Sequence, residues 1–160
     1  MSLREEVQRA VEIGTRDRLE KLVSSRATAV RYLLGMTYQD DERTRETAAL
    51  GIAIASRYHR KLVQNIVRRL VWAMNDESGT NSATAPTVLL AIAGEAPELL
   101  LPMVPDLTRL AADEGLHEGL ASTLKKVREA CPGQVGERLT QFLNSEMAGK
   151  GCYEKPDNGS

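Results

Sequence analysis

Apolar residues recur along this chain at spacings of three and four, the spacing that lines one face of a helix. Leu3, Val7, Ala10 and Val11 open the pattern, and Gly14 interrupts it. Thr15 or Asp17 is placed to cap a second helix that buries Leu19, Leu22 and Val23. After Ser25, the positions Ala29, Val30, Leu33, Leu34 and Met36 predict a third, closed by Gln39-Asp40-Asp41. Those acids suit the first turn of the next helix, over residues 42–56, where negative charge complements the exposed amides. Ala48, Ala49, Gly51, Ala53 and Ala55 make its surface small enough for close approach by neighbours. Further helices are expected at residues 60–75, 85–96, 99–112, 116–130 and 134–147. Pro86 falls in a first turn, where its missing N–H costs nothing, while Pro97 and Pro132 lie just past helix ends.

The pattern also repeats. Met36 precedes Ala48-Ala-Leu-Gly-Ile-Ala-Ile-Ala55, and 38 positions on Met74 precedes Pro86-Thr-Val-Leu-Leu-Ala-Ile-Ala93. A further shift of 35 brings Thr87-Val-Leu-Leu-Ala-Ile92 onto Ser122-Thr-Leu-Lys-Lys-Val127. A recurring helix pair with loops of unequal length predicts an all-α chain, an α-α superhelix of about four antiparallel pairs. Residues 1–148 form a single domain in this reading, and residues 149–160, with nothing apolar to bury as a group, form a disordered tail.

Composition supports helices over strands. Of the 160 residues, 42% are hydrophobic but only 4% aromatic, so the core must be aliphatic. A chain of this length buries enough surface to fold without a metal or disulfide, and Cys131 and Cys152 show no zinc-like spacing. The longest apolar run, Val88 to Ala93, is far short of the ~20 residues of a membrane span. Two acids, Glu5 and Glu6, stand where an export signal would carry its apolar segment, which predicts a cytoplasmic address.

Charge changes the picture. The net charge is −1, but residues 1–72 carry 14 Lys/Arg against 9 Asp/Glu, and residues 73–160 carry 7 against 13. The stretch from Arg57 to Asn75 concentrates the basic side. Leu62, Val63, Ile66, Val67, Leu70, Val71 and Met74 fill one apolar arc, while Arg57, Arg60, Lys61, Gln64 and Arg68 fall on the opposite one with no acid before Val71. Trp72 is expected at the border of the two arcs, half-buried against the next unit or displayed to anchor a partner.

Three segments carry a family resemblance. Arg31-Tyr-Leu-Leu34, Tyr38-Gln-Asp-Asp-Glu42, and Arg45 with Ala48-Ala-Leu-Gly51 resemble a HEAT repeat of the PBS-lyase type. Trp72-Ala-Met-Asn-Asp-Glu-Ser-Gly79, followed by Ala85-Pro86, is similar to a signature of small HEAT-repeat proteins found mainly in anaerobic prokaryotes. The resemblance covers most of residues 3–132 and implies the superhelix and a binding or assembly role. Thr44 and Thr80-Asn-Ser-Ala-Thr84 stand where that pattern usually carries aromatics, so a ligand site of relatives does not transfer.

Candidate chemistry is sparse. His117-Glu118 is one His-Glu pair where the di-iron HEAT-like hydroxylases need several, and His59 is the only other histidine. Asn75-Asp76-Glu77-Ser78-Gly79 lacks the alternate ligands of a calcium loop. No nucleophile and base stand together. The expectation is a non-enzymatic protein-binding scaffold or adaptor that uses a HEAT-repeat groove, without cofactor, metal or membrane. Its partner surface is built from Arg57, Arg60, Lys61, Arg68, Trp72, Asp76 and Glu77. The alternatives are a nucleic-acid binder like the HEAT-like alkylpurine glycosylases, against which the net acidity argues, and an accessory subunit of a lyase or chaperone complex.

Overall fold

The computed structural model describes residues 1–75, 84–112, 117–137 and 139–145. The described residues contain helices and no strand. Eight α-helices follow one another: α1 (Leu3–Ile13), α2 (Arg16–Ser25), α3 (Ala29–Met36), α4 (Glu42–Ala55), α5 (Arg60–Asn75), α6 (Thr84–Glu95), α7 (Val104–Leu110) and α8 (His117–Ala130). A further helical stretch reaches residue 145, and residues 146–160, which include the expected tail, lie outside the described residues.

Local chemistry sets the ends. The Glu5 amide donates to Ser2 Oγ at 3.2 Å to start α1, and Gly14, at φ 72°, closes it with its own N–H on the Ala10 carbonyl. Thr15, not Asp17, caps α2, accepting from the Arg18 amide at 3.3 Å. Asp41 caps α4 by accepting from the Thr44 amide at 3.0 Å and its hydroxyl at 2.6 Å, and these two hydrogen bonds to the charged form hold its carboxyl below the usual range. The turn before it is tied by Arg45, whose guanidinium donates to the carbonyls of Gln39 and Asp40.

One predicted element is replaced. In place of a helix over 99–112 the chain makes two short 3-10 turns, Pro97–Leu99 and Leu101–Met103, and only then the seven residues of α7. Pro102 and Pro105 each lack the N–H of a continuous helix, and each ring would collide with the carbonyl four residues back. Leu99, Leu100 and Leu107 are still fully buried, so the broken segment keeps its place in the core.

The even-numbered helices pack in succession, α2 on α4, α4 on α6 and α6 on α8, and the closest of these associations is α4 with α6. Within the chain order α1 packs on α2, α3 on α4, α5 on α6 and α7 on α8. The repeat in the sequence maps onto this layer: Ala48–Ala55 lies in α4, Pro86–Ala93 in α6 and Ser122–Val127 in α8. Small residues make the approach possible. A Cβ on Gly51 would stand 2.9 Å from Leu33 Cδ1, and one on Gly119 only 2.6 Å from Pro86 Cβ. Each buried Leu or Ile in this layer contributes about 1.5–3 kcal/mol by leaving water.

Cross-links between units are polar. Glu95, at the end of α6, receives a bidentate pair of hydrogen bonds from Arg16 of α2 at 2.5 and 2.7 Å, and lies 3.3 Å from Arg57. Its side chain is 11% exposed. The Arg16 hydrogen bonds hold the Glu95 carboxyl below the usual range and raise Arg16. Beside it, Tyr58 donates to Glu20 at 2.5 Å, which raises the phenol, and the His59 ring nitrogen Nε2 meets the Val23 carbonyl at 2.8 Å. The turn between α4 and α5 is thus fastened to α2 and α6. Among the described residues no helix is long and apolar enough to cross a membrane.

Candidate functional site

α5 buries Val63, Ile66, Val67, Leu70, Val71 and Met74 and turns its other side outward. At ~100° per residue, Lys61, Asn65, Arg68 and Trp72 fall within about 60° of one another, with Arg69 adjoining. All five are exposed. Trp72 is 77% exposed and about 160° around the helix from Leu70, so it occupies the middle of the outward face, not the border of the core. This corrects the half-buried alternative: the indole is not packed against a following unit. The face runs about 16 Å from Lys61 to Trp72.

Leu62, expected in the core, is 38% exposed. It adjoins Arg69 and Asn65 on the outward side and leaves the buried arc beginning at Ile66, with Ala73 half-buried between. The apolar arc of α5 is therefore narrower than its sequence pattern, and the outward side gains a second exposed hydrophobic residue at the end of the helix opposite Trp72.

The basic stripe divides in two. Arg57 precedes the helix and lies 3.3 Å from Glu95, and Arg60 leaves the flank of α5 to meet Glu98 at 3.2 Å. The stripe has no acid within its own helix, and these two find theirs at the end of α6 and just after it, which no local pattern in α5 could reveal. Lys61, Arg68 and Arg69 form no salt bridge among the described residues. Near the far end of α5, Arg109 donates to the Asn75 side chain at 3.2 Å and pairs with Asp106. Asp76 and Glu77, also expected at the site, lie outside the described residues, as do the side chains of His117 and Glu118. The surface that remains is one tryptophan, one leucine and three unpaired cations on a single helix.

A second feature has no counterpart in the sequence reading. Between α1 and α3 lies a cavity of about 360 Å³, with Arg4 and Gln8 on one wall and Arg31, Tyr32 and Gln39 on the other. Val7, Gly35 and Met36 form its floor. The signal available in the sequence was Gly35, a glycine in the last turn of α3 whose backbone is not left-handed. Comparison of the chain with family models, curated proteins and solved structures finds no match.

Proposed function

We propose that the chain is a non-enzymatic scaffold or adaptor of the HEAT-like kind, a short α-α superhelix that holds an acidic protein segment against the outward face of α5. Successive packing of α2, α4, α6 and α8, each the second helix of its pair, supports the superhelix. The recurrence of the same small-residue segment in α4 and α6 supports it as well.

The observation that carries the binding role is Trp72. A solvent-facing indole on the outward face of α5 is an apolar anchor, and tryptophan and arginine dominate the energetics of protein interfaces. Arg68 and Arg69, one turn before it, and Lys61 at the other end of the face set the partner's polarity as acidic. Nucleic acid is the weaker fit, because three unpaired cations give a shallow dependence on salt and the chain as a whole is acidic.

The test is capture from native extract by tagged wild type, Trp72→Ala, Arg68→Glu and, as a control on α8, Lys125→Glu. A protein retained by wild type and Lys125→Glu but lost from the two α5 variants supports the reading. Identical capture by all four, or none at low salt, contradicts it, and nuclease-sensitive capture moves the surface to the nucleic-acid alternative.

A further inference from the structure

We propose that the cavity between α1 and α3 binds a small organic anion, its phosphate or carboxylate head held between Arg4 and Arg31 and its apolar or planar body laid on Tyr32 and Met36. The proposal does not rest on the scaffold reading, since the cavity and the α5 face share no residue.

Electrostatics is the first support. Arg4 and Arg31 line one cavity of about 360 Å³ whose walls include no acid, and neither forms a salt bridge among the described residues. Two exposed arginines lining one space make it electropositive, and the forked donors of a guanidinium match a phosphate or carboxylate. Gln8 and Gln39 add neutral donors and acceptors on either wall. The volume is at the lower end of small-molecule sites, which excludes a chain-like ligand.

Gly35 is the second, independent support. Gly35 is the next-to-last residue of α3, and neither packing nor a left-handed backbone requires a glycine there. Its φ is not positive, and a Cβ added there would meet nothing within 4 Å. The missing side chain instead leaves the floor of the cavity open. Val7, fully buried, and Met36, half-buried, make that floor apolar, so a ligand's body meets hydrocarbon while its head meets arginine.

Calorimetric titration of the full chain with phenyl phosphate, benzoate, inorganic phosphate and benzyl alcohol tests this. Phenyl phosphate or benzoate binds once per chain, more tightly than inorganic phosphate or the uncharged alcohol. Arg4→Gln and Arg31→Gln each weaken that binding about tenfold, as loss of one charge-assisted contact does. Gly35→Leu, whose side chain enters open space, abolishes binding while the thermal transition stays at or above that of wild type. The proposal is overturned by the absence of saturable heat at millimolar aromatic anion, by undiminished binding in the arginine variants or Gly35→Leu, or by inorganic phosphate or benzyl alcohol binding as tightly as phenyl phosphate.

Discussion

At the scale of single residues, two positions separate packing from display. Gly119 is a packing glycine: the Pro86 ring stands where its Cβ would go, and a pyrrolidine cannot rotate aside. Alanine is the better helix former by about 1 kcal/mol, yet Gly119→Ala is expected to lower stability by about 1–3 kcal/mol, the usual cost of overpacking, read as a lower denaturant midpoint with unchanged slope. Trp72 behaves oppositely. With its ring in solvent, Trp72→Ala is expected to change the unfolding free energy by no more than about 0.5 kcal/mol. A loss of several kcal/mol in that variant means that the indole is a core group.

At the scale of elements, capping and charge pairing join what hydrophobic pattern alone leaves loose. Removing the hydroxyl that starts α2, Thr15→Ala, is expected to cost about 1 kcal/mol, measurable by chemical denaturation. The Glu95 junction draws together α2, the turn after α4 and the end of α6. Its folded carboxyl titrates below its unfolded value, so the stabilisation is fully present above the ordinary carboxylate range. It is lost as pH falls through that range toward the lowered folded value. Glu95→Gln should therefore cost about 1 kcal/mol near neutrality, within the range for exposed ion pairs, and the gap between variant and wild type should close on acidification and narrow in high salt. A gap independent of pH from neutrality to the acid transition contradicts the assignment.

These elements also show how much the sequence disclosed. Periodicity, runs of small residues and caps located α1 to α6 and α8 to within a residue or two at their described ends: apolar stripes mark α1, α2, α3, α5 and α8, while Asp41 before α4 and Pro86 in the first turn of α6 mark two helices whose apolar residues are not confined to one stripe. The segment 97–112 was misread, because its leucines keep a helical spacing while Pro102 and Pro105 forbid the hydrogen bonds of one continuous helix. On α5, the exposure of Lys61 and Arg68 was legible from helical geometry, whereas Trp72, expected at the border of the two arcs, stands in the middle of the exposed one. The pairing of Arg57 with Glu95 and Arg60 with Glu98 was not legible, since each partner lies 38 residues away. Nor was the cavity of Arg4 and Arg31, which exists only when α1 and α3 come side by side.

At the scale of the whole molecule, the charge asymmetry of the sequence is partly consumed by folding. Arg16, Arg57 and Arg60 from the basic half meet Glu95 and Glu98 from the acidic half, so the charge of one half stabilises contact with the other. Among the described residues, Arg68 and Arg69, one turn from the chain's single tryptophan, and Lys61 at the other end of the face form no salt bridge. That arrangement is the central claim, and intrinsic fluorescence addresses it directly because no second indole contributes. In the native protein the emission should be nearly as red as in the denatured chain. Iodide should quench it more efficiently than caesium by a margin that shrinks with added salt, since the neighbouring cations enrich anions at the ring. A blue-shifted native emission shielded from both ions, or equal quenching by the two at low salt, would contradict a solvent-facing Trp72 in a basic setting.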